Sequence, residues 1–371
     1  MTVAVDKAAE RSPASVTLKP GVVTGDDYLA LVGACKSGGY ALPAVNVVGT
    51  NSLNAVMEAA AANQSDVIVQ LSNGGAQFFA GQGMEDGLQA KILGAVSAAH
   101  HAHLLAEHYG ICVILHTDHA HKSLIPWVEG MIDHGEAYFK ANGKPLFSSH
   151  MLDLSAEPLE ENLAESAQLL KRLAPMGMSL EIELGVTGGE EDGVGSEELD
   201  DADNDKLYTQ PAEVLHAYEM LSPIGHLTVA ASFGNVHGVY KPGNVKLRPE
   251  ILKNSQALVA ERCGLGHNPL DLVFHGGSGS EPEKIAEAVS YGVFKMNIDT
   301  DTQFAFAHAI GDYVEGNLSA FRHQIDPDTH KPYKKQYDPR KWLRVGEQGM
   351  VERLTEAFGD LGSKGKSVAK H

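Results

Sequence analysis

Cysteine is scarce in this chain: Cys35, Cys112 and Cys263 are the only three among 371 residues, far apart and without a CxxC pair. That scarcity argues against a disulfide framework or a thiolate zinc site and suits the cytoplasm. Long hydrophobic runs are missing too. No stretch of roughly 18 or more apolar residues could span a bilayer, and the opening MTVAVDKAAERSPAS lacks the apolar centre of a signal peptide. It reads as a flexible lead-in, residues 1–16, ahead of one domain formed by residues 17–371. Positive charge is under-represented, with 29 Lys and Arg against 48 Asp and Glu and a formal net charge of -19. Such a field repels nucleic acid and anionic membranes. An anionic ligand would need a local counter-field from helix N-termini, amide nests or a few placed cations.

Against these absences stands a regular alternation. Eight short apolar, β-branched segments recur: ALPAVNVV from Ala41, DVIVQLS from Asp66, CVILHTDH from Cys112, LFSSHMLD from Leu146, SLEIELG from Ser179, LTVAASFG from Leu227, DLVFHGGS from Asp271 and VFKMNIDT from Val293. Near-continuous apolar runs of this length suit strands buried on both faces, as parallel strands are. Between them lie Ala-, Leu- and Glu-rich stretches usually closed by Gly or Asn, which read as helices. Eight strand and helix units without a linker predict a single (β/α)8 TIM barrel rather than two lobes. The residues beyond the roughly 250 that a barrel needs fall in an acidic, glycine-rich stretch, Gly185 to Gln210, in a second loop, Asn235 to Arg248, and in a C-terminal extension beyond Asp326 that ends in a helix. The first of these is expected to be a long mobile loop.

Position then points to chemistry, because nearly every strand ends in a residue able to ligate metal, move protons or bind phosphate. The ends are Asn46, Ser72, Asp118 with His119, Asp153, Glu183, a sixth strand running on to His237, His275 and Asn297 with Asp299. In a barrel all of them converge on one mouth. Asp118 and His119 can both serve it only if their strand stops there, since successive residues of a strand face opposite ways. His119, His237 and His275 form a three-imidazole set that leaves a fourth zinc position open. Glu183 either completes that set or supports it, and Asp153 either binds a second ion or orients a ligand histidine. His275-Gly-Gly-Ser-Gly-Ser280 is a glycine-rich strand-to-helix turn of the kind that cradles phosphate, with Asn297 to Thr300 beside it. Glu190 and Glu191 sit among glycines in a loop that could close over the mouth. His100, His101 and His103 lie mid-helix with no strand end near them and read as packing, while His116 and His121 stay unassigned.

With ALPAVN, QLSNGGAQFFAG, HTDHAHKSLIPW, PLFSSHMLDLS, LEIELGVTGGEEDG, ASFGNVHGVYKPGN, FHGGSGS, KMNIDTDTQ and YDPRKWLR in this order, the chain resembles class II (zinc-dependent) fructose-bisphosphate aldolases, of the longer, dimeric class IIA type. The resemblance runs from about Lys19 to the last helix. It implies a lyase of glycolysis and gluconeogenesis that acts on a sugar bisphosphate and triose phosphates, works as a cytoplasmic homodimer, and has no nucleic-acid or membrane partner. It implies catalytic Zn2+ on His119, His237 and His275, a neighbouring divalent position at Glu183 and Asp153, and a monovalent cation, K+ or Na+, near the phosphate. Asp118 becomes the proton donor and acceptor at the cleaved bond, and Glu191, with Glu190 second, the carboxylate that protonates the enediolate. Gly238, Gly276, Gly277, Ser278, Asn297, Ile298, Asp299 and Thr300 become the dihydroxyacetone-phosphate pocket. Asn46 joins the substrate site, Ser72 contacts the aldehyde half, and Arg344 clamps the far phosphate across a dimer interface. Residues before Thr17, the stretch SEELDDADND and Ala120-His121 depart from the family pattern. The rival chemistries are a tagatose-bisphosphate aldolase, a zinc-dependent TIM-barrel hydrolase, and a Schiff-base aldolase using Lys295.

Overall fold

A computed structural model describes residues 16–185, 208–235 and 247–370, with the backbone of 188–191, 194–196 and 236–237. The lead-in lies outside the described residues apart from Val16. All eight expected strands form: β2 (Leu42–Asn46), β3 (Val67–Leu71), β4 (Cys112–Thr117), β5 (Ser149–Leu152), β6 (Ser179–Leu184), β9 (Leu227–Ala231), β11 (Leu272–Phe274) and β12 (Val293–Asn297). Each is parallel to its neighbours, and pairing of β4 with β5 closes the sheet into a barrel. Among the described residues, three further short strands were not expected from the sequence, β1 (Gly21–Val22), β7 (Gly188–Glu191) and β8 (Val194–Ser196), and β10 (Val236–His237) stands apart at the end of the expected sixth strand.

Period-2 alternation sorts the apolar residues into two cores. Val45, Val69, Leu115, Ile182, Val229 and Phe274 point outward and pack under the helices. Leu42, Ile68, Ile114, Ala230 and Val273 point inward and meet Tyr28, Leu31, Val32 and Cys35 of helix α1 (Asp26–Gly38), which caps the N-terminal end of the barrel. Strand β1 extends that cap by pairing with the start of β4, Gly21 opposite Cys112. Lys36 on α1 is tied to Asp271, which also accepts from His226 Nε2 at 2.7 Å and so pins the cap to the rim.

Helices start and stop where the sequence allows. Ser72 accepts the Gly75 amide at 3.1 Å at the start of α3 (Asn73–Ala80), and Asp86 accepts the Gln89 amide at 3.0 Å at the start of α4 (Gly87–Tyr109). Before them in the chain, α2 (Thr50–Ala62) packs on the C-terminal helix Pro339–Asp360. Helices α3 and α4 cross so closely that a Cβ on Gly94 would lie 1.7 Å from the Ala76 carbonyl oxygen, so only glycine fits there. As expected of packing residues, His101 Nε2 meets Asn54 Oδ1 at 2.8 Å and His103 Nε2 meets the Leu146 carbonyl at 2.9 Å.

One expectation is corrected. The sixth barrel strand stops at Ala231 and does not run on to His237: Gly234 adopts a φ of 90°, and Asn235 turns back to bond Phe233 N and the His275 carbonyl, at 2.8 and 3.0 Å. His237 instead belongs to β10, which pairs with β7 outside the barrel, His237 opposite Gly189. Within the stretch Gly185 to Gln210, expected as a long loop, β7 and β8 form an antiparallel hairpin. Residues 186–187, 192–193 and 197–207 of that stretch lie outside the described residues. Among the described residues no helix is long and apolar enough to cross a membrane.

Candidate active site

The mouth is built on strand ends, as alternation requires. Strand β4 stops at Thr117, and His119 then takes a left-handed φ of 38°, uncommon for any residue but glycine. That kink lets Asp118 and His119 serve the same side of the barrel despite being neighbours. Its hydrogen-bonding supports it, with the His119 amide donating to Met151 Sδ at 3.3 Å.

Asp118 is fully buried inside the ring of strands. Three side-chain amides converge on its carboxylate: Asn46 Nδ2 at 2.8 Å and Gln70 Nε2 at 2.9 Å on Oδ2, and Asn297 Nδ2 at 3.1 Å on Oδ1. They come from β2, β3 and β12, so the carboxylate is fixed from three strands at once. Beside it, donor atoms of His119 and His275 lie within 4.8 Å of an Asp118 oxygen and of each other. The two imidazole rings meet edge to face with centroids 4.6 Å apart.

A second carboxylate-rich group shares His119. Its Nδ1 lies 3.1 Å from Asp153 Oδ2 and 3.6 Å from Glu183 Oε2, while His275 Nδ1 lies 3.4 Å from Glu183 Oε2. A carboxylate can only accept, so the proton of His119 sits on Nδ1 and points at Asp153. Burial works against a charge on Asp153, but hydrogen bonds from His119 and Ser155 outweigh it and hold the carboxyl far below the usual range. Burial and His119 likewise oppose a charged His275, yet bonds to Glu181 and Glu183 lift its pKa to about 9. His119 and His275 can reach one cation together with Asp118, and His119 can reach another position together with Asp153 and Glu183; these nitrogen and oxygen donor sets fit zinc. The His237 side chain is outside the described residues, so only its backbone position beside β7 enters this geometry. The same holds for the side chains of Glu190 and Glu191, while Gly238 lies outside entirely.

Below this layer sits a group that the strand-end rule missed. Glu181 is buried, with Lys295 Nζ 2.9 Å from Oε1 and 2.8 Å from Oε2. His275 Nε2 approaches Oε1 at 2.8 Å and His116 Nε2 approaches Oε2 at 3.3 Å. Despite burial, the charge of Lys295 holds Glu181 well below the ordinary carboxylate range. Burial and the same ammonium keep His116 neutral. Although His116, Asp118 and Glu181 could together reach a cation, Lys295 already supplies one there. Lys295 is thus committed to a carboxylate and is poorly placed to be a Schiff-base nucleophile.

The glycine-rich turn closes the other side. Gly276 has a φ of 60°, and a Cβ on Gly277 would strike Met296 Cγ at 2.6 Å and the Asn297 carbonyl at 2.9 Å. Gly277 N donates to that carbonyl at 3.2 Å, and Ile298 N to Ala44 O at 3.0 Å, so the turn and the end of β12 are locked together. Ser278 is buried against them, and Asp299 and Thr300 start the helix Thr300–Gly316, whose N-terminus faces this corner of the fold. Ser72 follows β3 at the start of α3. Arg344 is held elsewhere: both terminal nitrogens bond Glu58 at 2.6 Å, and Nη1 also bonds Glu347 at 3.0 Å.

Residues 26–366 match the family model described as class-II fructose-bisphosphate aldolase. The chain belongs to this family. It is 56% identical over 348 residues to the fructose-bisphosphate aldolase of Edwardsiella ictaluri, covering 93% of this chain and 96% of the relative. It is 54% identical over 349 residues to the class 2 fructose-bisphosphate aldolase of Escherichia coli strain K12, with the same coverage. A crystal structure of the Campylobacter jejuni fructose-bisphosphate aldolase superimposes with a TM-score of 0.85 at 53% identity, covering 95% of this chain and 98% of that one. Class II aldolases are zinc-dependent as a family, which agrees with the donor set around His119 and His275.

Proposed function

We infer that this chain catalyses reversible aldol cleavage of D-fructose 1,6-bisphosphate to dihydroxyacetone phosphate and D-glyceraldehyde 3-phosphate. The observation that carries the reading is Asp118, a buried carboxylate fixed by three amides within reach of the His119 and His275 rings, in a chain of this family.

Breaking the C3–C4 bond leaves its electron pair on C3 while the C4 hydroxyl becomes an aldehyde. Zinc held by His119, His237 and His275, with Glu183 and Asp153 beside it, supplies the Lewis acidity that offsets this charge when bound. Asp118 takes the C4 hydroxyl proton as the bond breaks, and its amide cage fixes which oxygen faces the sugar. A proton then reaches C3 from Glu191, or from Glu190, completing dihydroxyacetone phosphate. Gly238, the turn Gly276 to Ser278 and Asn297 to Thr300 hold the ketone-side phosphate through amide donors and a helix N-terminus. A K+ or Na+ ion beside that phosphate, and a second divalent ion at Asp153 and Glu183, complete the assignment. Asn46 and Ser72 line the substrate path. For Arg344 to clamp the far phosphate, its two bonds to Glu58 must be exchanged for bonds to substrate. The working form is a cytoplasmic homodimer, residues 17–371 forming the catalytic domain and residues 1–16 a lead-in.

One assay tests this reading. Fructose and tagatose 1,6-bisphosphates are each offered, with triose phosphate and inorganic phosphate both measured, with and without EDTA, and after borohydride treatment in the presence of substrate. Triose phosphate from the fructose sugar, lost with EDTA and unaffected by borohydride, is the expected result. Borohydride inactivation would point to Lys295, phosphate release to a hydrolase, and faster turnover of the tagatose sugar to the other aldolase.

A further inference from the structure

The buried group under the mouth has no part in the proton transfers above. A buried ion pair is also a weak device for stability, because the cost of removing two charges from water offsets their attraction. Glu181 and Lys295 nevertheless face each other inside the barrel, and both oxygens of Glu181 are engaged by the ammonium. One of those oxygens is also 2.8 Å from His275 Nε2. Since a carboxylate only accepts, that contact keeps a proton on His275 Nε2, so the proton that Nδ1 holds toward Glu183 is the one a cation would displace. The other nitrogen, Nδ1, is then the one on the mouth side, 3.4 Å from Glu183 Oε2 and on the ring that meets His119.

We propose that the Glu181–Lys295 pair is a positioning device for His275, setting its tautomer and ring orientation so that Nδ1 is presented to the zinc position. The inference rests on the reading of His275 as a zinc ligand. Each member has a distinct task. Glu181 accepts the distal N–H and makes the imidazole a stronger donor, as carboxylates behind ligand histidines do. Lys295 grips both Glu181 oxygens, so the carboxylate cannot rotate, and it cancels a charge that would otherwise add to those of Asp118, Asp153 and Glu183. His116, bonded through Nδ1 to Ser149 Oγ at 2.7 Å, walls the far side of Glu181. His119 is treated in the same way by Asp153, at 3.1 Å, so both imidazoles of the described site carry a carboxylate behind the ring.

The experiment uses the full-length protein, stripped of metal and titrated with Zn2+ against a chromophoric chelator. Glu181→Ala is expected to weaken zinc binding by about 10- to 100-fold. Glu181→Gln, which keeps an acceptor oxygen, should recover part of that loss. His119→Ala marks the metal site itself and should lose more. If Glu181→Ala binds zinc like the unmodified protein while His119→Ala does not, the positioning role is overturned and the metal site stands. If His119→Ala also binds normally, the metal reading fails and this inference with it. Should the Glu181 variants not fold, ring 15N spectra of the unmodified zinc-loaded protein decide: Nε2–H with Nδ1 on the metal supports the device, and coordination through Nε2 refutes it.

Discussion

Replacing Gln70 by Leu tests whether the Asp118 cage matters to chemistry. The side chain is fully buried, Leu is close to it in size, and the change deletes one of three amide donors to the carboxylate. A hydrogen bond to a charged group contributes about 1.5–3 kcal/mol. If Asp118 must be ionised and aimed at the C4 hydroxyl when the bond breaks, that loss falls on the barrier. At about 1.4 kcal/mol per factor of ten, kcat should drop by about 10- to 150-fold. Asp118→Ala, which removes the proton acceptor itself, should cost about 100- to 10,000-fold. Steady-state turnover measured by coupled detection of glyceraldehyde 3-phosphate gives both numbers. The double variant supplies the control, because without Asp118 the loss of Gln70 has little left to damage and should change kcat by less than about twofold. The reasoning is refuted if Gln70→Leu alone turns over at the unmodified rate, or if its effect is undiminished in the Asp118→Ala background.

Three further outcomes are expected. Glu191→Gln should slow exchange of the C3 proton of dihydroxyacetone phosphate with solvent by about 100-fold or more, with Glu190→Gln costing less; equal effects in NMR exchange would remove Glu191 from its role. Gly94→Ala forces α3 and α4 apart at the Ala76 carbonyl and should destabilise the fold by about 3 kcal/mol, read as a lower melting temperature; an unchanged melt would show that the helices part freely. The Asp271 carboxyl is buried but held below its ordinary 3.8 by His226 and Lys36. It therefore adds stability that is fully present above pH 3.8 and is lost as pH falls through the depressed folded-state value. The urea midpoint of the unmodified protein should exceed that of Asp271→Asn at pH 7 and converge on it in acid, whereas a gap that does not shrink as the pH is lowered below 3.8 would exclude the carboxylate as its source.

How far the sequence reached depends on where along each strand a residue sits. Asp118, Asp153, Glu183, His275 and Asn297 are legible because they occupy strand ends, where an apolar run gives way to chemistry. Gln70 and Glu181 were missed, His116 was left unassigned and Lys295 was given only to the rival Schiff-base chemistry, because all four lie within the runs, among apolar residues. Yet each stands two positions before a legible one: Gln70 before Ser72, His116 before Asp118, Glu181 before Glu183 and Lys295 before Asn297. In a strand buried on both faces, polar residues at i and i+2 can only point to the barrel interior. That spacing was the available signal. His237 illustrates the opposite limit: it follows an apolar run, but the turn at Gly234 and Asn235 diverts the chain before reaching it. Partner identity over long separations, such as Arg344 with Glu58, leaves no local pattern at all.

The cap formed by α1 and β1 carries a consequence for traffic. With Tyr28, Leu31 and Cys35 plugging the N-terminal end against Leu42, Ile114 and Val273, the barrel is a cup and not a tube. Sugar bisphosphate, both three-carbon products and every exchanged proton must use one opening. A triose phosphate that lingers there blocks the next sugar, so departure of the products can limit turnover as readily as the bond that is broken.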